Sequence, residues 1–163
     1  MSSNWSGAFD YQTVGNYADQ VIIMGYDYHW CGGSPGPIAP IYWLEDVIKY
    51  SLLEIPKEKL ILGLPTYGYD WELESNNFAQ ALSYSEIMKL LSKYDVDYYW
   101  DEEAATSYFK YQSVEEEHIV WFENLKSIKK KLDLIRKYEL GGVVFWRLGL
   151  EDERIWTEIE KGL

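Results

Sequence analysis

Three short runs of almost unbroken apolar residues punctuate the chain: QVIIMGY at 20–26, KLILGL at 59–64 and GVVFW at 142–146. Continuous Val, Ile, Leu and Phe, without alternation, is the pattern of parallel strands covered on both faces. After the first run, Pro35, Gly36, Pro37 and Pro40 mark a loop. IYWLEDVIKYSLL then sets Ile41, Leu44, Val47 and Ile48 on one helical face, with Pro56 as the stop. After the third run, Asp152 is the expected N-cap of a final helix presenting Ile155 and Ile159. The second run is different, because a stretch too long for a structureless loop separates it from a helix at 126–139. That stretch holds a helical pattern of its own, SYSEIMKLLSKY at 83–94, and the strand-like segments VDYYW, YFKY and HIVWFE.

The element order is therefore βα, β-insertion-α, βα, which implies a doubly wound sheet or a (β/α) barrel. Polar and aromatic residues gather at the strand ends: Tyr26 and Asp27 after the first, YGYDW (67–71) after the second, Trp146 and Arg147 at the third. A barrel builds its functional site at those C-terminal ends. No glycine-rich phosphate loop follows any strand, which counts against a nucleotide-binding sheet. A whole (β/α)8 barrel takes roughly 250 residues, and this chain has 163. The expected fold class is α/β, the C-terminal three βα units of a (β/α)8 TIM barrel. In that reading 1–70 and 123–163 form the partial barrel, and 71–122 form a small α+β insertion before the last strand. Three parallel strands leave two open edges, so the core is expected to be completed by a missing N-terminal half-barrel or by a homo-oligomer.

Charge removes several partners. A net charge of −12 argues against nucleic acid and anionic membranes, whose phosphates need clustered Lys and Arg. The basic run Lys129–Lys131 lies in SIKKKLDLIRKY, where Ile128, Leu132 and Ile135 recur at helical spacing, so the lysines are expected on the wet face. Cys31 is alone, and His29 and His118 join no cluster with ligand spacing, so neither a metal nor another cofactor is expected. MSSNWSGAFDYQ carries no export signal, and no run reaches the ~18 apolar residues of a membrane span. Aromatic residues, at 17 %, suit either a large core or a stacking surface for sugars.

IIMGYDYHW with PGPIAPIYW, then KLILGLPTYGYDW, then IVWFENLKSIKKKLDLIRKYELGGVVFWRLGLED resembles the last three strands of family 18 glycoside hydrolases, the chitinase-like TIM barrels. The likeness runs from about residue 8 to residue 159. It extends to the branch of bacterial spore-associated, peptidoglycan-active N-acetylglucosaminidases often found with LysM modules. The resemblance implies a substrate containing N-acetylglucosamine and a location outside the cell, at the wall or on the spore. It also implies a retaining mechanism in which a Glu protonates the glycosidic oxygen and the substrate's own 2-acetamido carbonyl attacks the anomeric carbon. By that resemblance Tyr26 would donate to the acetamide oxygen and Asp27 would contact the sugar and the surroundings of the acid. Trp146 would floor the site, Met24 would pack beneath, and Tyr67 and Trp71 would line the cleft.

The chain departs from the family at the acid. The family's Glu closes a DxxDxDxE motif, and no stretch here has that spacing. DVDYYWDEE, with Asp95, Asp97, Asp101, Glu102 and Glu103, comes nearest and reads as a solvated hairpin. Asp70, Glu72 and Glu74 read equally well as surface carboxylates, and Glu123 and Ser127 as structural. Three functions stay open: part of a glycosidase that is inactive alone, a glycan binder that does not cleave, and a structural piece stable as an oligomer.

Overall fold

The structure, a computed structural model, describes residues 9–114 and 116–160. Helix α1 (Tyr11–Tyr17) precedes strand β1 (Val21–Met24), and α2 (Ile41–Ser51) leads into β2 (Leu60–Pro65). Then come β3 (Gly68–Glu72), β4 (Gln80–Leu82), α3 (Tyr84–Lys93), β5 (Val96–Asp101), β6 (Thr106–Gln112) and β7 (Glu117–Phe122). Helix α4 (Leu125–Tyr138), strand β8 (Gly142–Trp146) and α5 (Arg154–Ile159) follow.

The three apolar runs form one parallel sheet in the order β1-β2-β8, with Met24 opposite Gly63 and Pro65 opposite Trp146. Ile23, Leu62, Leu64, Val143 and Phe145 face a core that includes Leu44 and Ile48 of α2 and Leu132 and Ile135 of α4. Each such side chain taken from water contributes about 1.5–3 kcal/mol. The alternate positions turn the other way and are bare: Ile22, Met24, Val144 and Trp146 are all exposed. The outer strands β1 and β8, whose composition asks for cover on both faces, thus have it on one, while β2 between them is buried throughout.

The remaining strands make an antiparallel sheet in the order β4-β3-β7-β6-β5. Its one face carries Leu82, Phe109, Val120 and Phe122 against Ile87 of α3, and its other face carries Tyr67, Tyr69, Trp71 and Trp121. This sheet begins at Gly68, which pairs with Phe122, so it starts before the edge expected at residue 71. Helix α3 opens with a capping box between Ser83 and Glu86. Neither α1 nor β4 is predicted by the apolar pattern. The first is a short helix with Gly15 inside it, capped by Asp10, whose carboxylate accepts from Thr13 N at 3.0 Å.

Several sequence expectations need correction. Lys131 does not share the wet face: it is fully buried and salt-bridged to Glu123. It stands three residues after Ile128 and four before Ile135, on the stripe that α4 turns inward. Asp70 is also buried, accepting from Tyr111 Oη at 2.7 Å and facing His118 Nδ1 at 3.0 Å. In a strand where Tyr69 and Trp71 face one way, Asp70 must face the other, towards the α3 layer. Helix α2 stops at Ser51, short of Pro56. Glu153 occupies the cap position of α5, yet Asp152 makes the capping bond, its Oδ1 accepting from Arg154 N at 3.2 Å. Asp152 Oδ2 also accepts from Leu125 N at 3.3 Å, tying the starts of α4 and α5 together. Residues 1–8 of the stretch read for an export signal lie outside the described residues, whose helices are not long and apolar enough to cross a membrane.

Candidate functional site at the strand ends

The C-terminal ends of β1 and β8 bring together the residues singled out there. The ring of Tyr26 lies nearly parallel to that of Trp146, with centroids 6.4 Å apart and planes 13° apart. Trp146 keeps 55 % of its surface exposed and shares the bare inner face with Met24, which is 70 % exposed. Thr66 fixes the chain around that tryptophan, donating from N to Trp146 O at 2.9 Å and from Oγ1 to Arg147 O at 2.7 Å. The Trp146–Arg147 peptide is cis. Burial, followed by the charge of Asp27, pushes the Tyr26 hydroxyl above its ordinary range, so it remains a neutral donor.

Asp27 takes a left-handed backbone, φ 60°, a conformation that Asp adopts more readily than most residues. Its Oδ1 accepts two hydroxyls, Tyr67 Oη at 2.5 Å and Tyr69 Oη at 3.0 Å. Both tyrosines are buried, and burial first, then their bonding and proximity to Asp27, hold both hydroxyls far above their ordinary range. Ionising either would set a phenolate beside a carboxylate. Asp27 itself is exposed, so the protein orients the carboxylate through one oxygen while the group stays open to a ligand.

Two expected lining residues stand further back than the sequence suggests. Trp71 is buried and spends its indole N–H on Gly33 O at 3.1 Å; it braces the loop after β1 and offers no stacking face. Tyr67 reaches the site through its hydroxyl alone. Tyr69 is the residue missed, although the alternation in YGYDW puts 67, 69 and 71 on one side of a strand. The acids of DVDYYWDEE lie in the β5–β6 hairpin, where Asp101 Oδ1 accepts from Ala104 N at 2.8 Å. Among the described residues no cluster of His, Cys, Asp and Glu is placed to hold a metal ion.

The profile of the glycosyl hydrolases family 18 matches residues 1–151. The chain belongs to family 18. Within it, the cortical fragment-lytic enzyme of Bacillus subtilis is 35% identical over 160 residues, covering 96% of this chain and 37% of that one. The crystal structure of the Bacillus megaterium spore cortex-lytic enzyme SleL superposes with a TM-score of 0.91 at 36% identity, covering 98% of this chain and 37% of that chain. A family 18 fold outside that branch, the chitinase of Chromobacterium violaceum, gives 0.87 at 31% identity over 94% of this chain and 48% of its own. The parallel sheet is thus part of a chitinase-like TIM barrel, and spore glycosylases stand among its relatives, as the resemblance implied. The chain spans less than half the length of these proteins.

Proposed function

We propose that this chain forms the sugar-holding side of a family 18 active site that hydrolyses β-1,4-linked N-acetylglucosamine-containing glycans of chitin or peptidoglycan type. The observation that carries the reading is the Tyr26–Trp146 pair beside a carboxylate oriented by two tyrosine hydroxyls. Trp146 presents an apolar floor to the sugar at the cleavage point, with Met24 below it. Tyr26, neutral, donates to the acetamide oxygen. As that oxygen attacks the anomeric carbon, the bond to the leaving sugar breaks and a cyclic oxazolinium forms, its positive charge facing Asp27. A glutamic acid supplied from outside this chain protonates the leaving oxygen, then takes a proton from the water that opens the ring with retention. Tyr67 and Tyr69 hold Asp27, and Trp71 holds the loop that carries it.

Two features support a complementary part. No DxxDxDxE spacing occurs here, and the inner face that bears Met24 and Trp146 is bare. Further βα units closing an eight-stranded barrel would cover that face and bring the acid opposite Tyr26. Alone, the chain binds glycans without cleaving them. Calorimetry with N-acetylglucosamine oligomers tests this: binding heat that disappears in Trp146→Ala, with no reducing ends released, is expected. Absence of binding at millimolar ligand, or turnover that survives Tyr26→Phe and Asp27→Asn, would overturn it.

A further inference from the structure

A cavity of about 460 Å³ opens where the insertion meets α4 and α5, and no role assigned so far uses it. We propose that it binds a singly charged oxyanion with two free oxygens, as a carboxylate or a phosphodiester presents. Its lining includes Tyr84, Tyr98, Asn124, Lys126, Lys129 and Arg154 and holds no acid, in a chain of net charge −12. The cavity lies away from the sugar site. Tyr84 packs on the cluster of Phe109, Val120 and Phe122, and the Tyr98 ring meets that of Phe122 edge to face with centroids 6.2 Å apart. That is the α3 side of the insertion sheet, opposite to the face of Tyr67, Tyr69 and Trp71.

Neighbouring groups hold the cations in place. Arg154 donates from Nε to Asp152 Oδ1 at 2.8 Å, and from Nη2 to Asp152 Oδ2 at 2.7 Å and to Tyr84 Oη at 2.8 Å. Its Nη1 is left without a partner among the described residues. Lys126 stands three residues before Lys129 on α4, so both lie on one side of that helix. The Lys126 ammonium sits 3.6 Å from the centroid of the Trp100 ring and pairs with no carboxylate among the described residues, whereas Lys129 meets Glu158 Oε2 at 3.0 Å. Tyr98 Oη and Asn124 Nδ2 both bond the hydroxyl of Ser107, each at 2.8 Å. Side chains already held lose little freedom when a ligand arrives.

The charge balance sets the charge of the ligand. Asp152 offsets Arg154 and Glu158 offsets Lys129, so Lys126 is the surplus. One positive charge matches one negative charge, and a polyanion would meet repulsion from the acidic remainder of the chain. A guanidinium with one nitrogen to spare and an ammonium in the same lining suit two oxygens of a single group. The first turn of α4, whose amides favour an anion, opens on the same cavity.

Neither the cavity nor its test depends on the glycan-binding reading above. The full chain, labelled with nitrogen-15, is titrated with N-acetylalanine, with dimethyl phosphate and with the neutral N-acetylalaninamide, and amide shifts report the binding. Saturable shifts at Leu125, Lys126 and Arg154 are expected from an anion and none from the amide. Lys126→Gln, at an exposed position, is expected to weaken the anion about fivefold, and Arg154→Lys, which keeps the charge and loses the planar fork, about threefold. Binding of either anion supports the site, and the tighter one names the source, a peptide carboxylate or a phosphodiester polymer. Equal shifts from the neutral amide, shifts spread evenly over Lys49 and Lys57, no saturable shift with either anion, or an affinity unchanged in Lys126→Gln or Arg154→Lys would overturn it.

Discussion

Lys131→Met removes the cation facing Glu123, and the consequence follows from burial. The two side chains are 0% and 1% exposed and salt-bridged to each other. Burial drives the Lys131 ammonium below its ordinary range, and Glu123 alone opposes that shift. Methionine fills the same volume, so the variant leaves no large cavity; what it leaves is a carboxylate inside the protein without its counter-ion. Breaking a buried pair in this way costs about 3–5 kcal/mol, a large part of the roughly 5–15 kcal/mol that holds a domain folded. The damage should reach the site, because Glu123 N donates to Tyr67 O at 3.2 Å and Tyr67 holds Asp27. Urea unfolding followed by circular dichroism gives the test. Lys131→Met should lose several kcal/mol, and the double variant Glu123→Gln with Lys131→Met should recover most of it, since no charge is then buried. A loss under about 1 kcal/mol, the scale of a surface pair, or a double variant no better than the single one, would refute the reasoning.

Other perturbations are smaller. Glu45 accepts Lys137 Nζ at 2.6 Å and Tyr138 Oη at 2.7 Å, which lower its carboxyl from 4.5 to about 2. Because the folded value lies below the unfolded one, the stabilisation is complete above 4.5 and is lost as pH falls through about 2. Thermal melts should separate wild type from Glu45→Gln by less than about 1 kcal/mol at neutral pH and not at all at the acid end. A Cβ at Gly25 would lie 2.6 Å from Gly63 O and 2.7 Å from Leu44 Cδ2; Gly25→Ala should therefore force β1 from β2 and destabilise by about 1–3 kcal/mol in urea. Tyr67→Phe and Tyr69→Phe each remove one donor from Asp27, and each should weaken oligosaccharide binding about fivefold, the double variant more. Unchanged calorimetric affinity in the double variant would remove the positioning role.

The parallel sheet was legible because its strands are unbroken apolar runs, and the insertion because Ser83, Ile87 and the aromatic strands carry local patterns. The residues that escaped did so for tertiary reasons. Lys131 looks wet by residue type and is buried because α4 turns its stripe onto Glu123. Asp70 looks like a surface acid and is buried by Tyr111 and His118, which reach it from strands remote in sequence. Trp71 and Tyr67 were placed at the end of the second apolar run, but Trp71 lies on β3 and Tyr67 just before it, and only the fold decides that one braces a loop and the other offers a hydroxyl.

The central claim is that the strand ends hold an acetamido sugar. It is tested most directly by nuclear Overhauser contacts between N-acetylglucosamine trimer and the labelled chain. The account predicts contacts from an acetamide methyl to the Trp146 indole and the Tyr26 ring, lost in Trp146→Ala. Contacts confined to the insertion, at Tyr99 or Trp100, with none to Trp146, would contradict it.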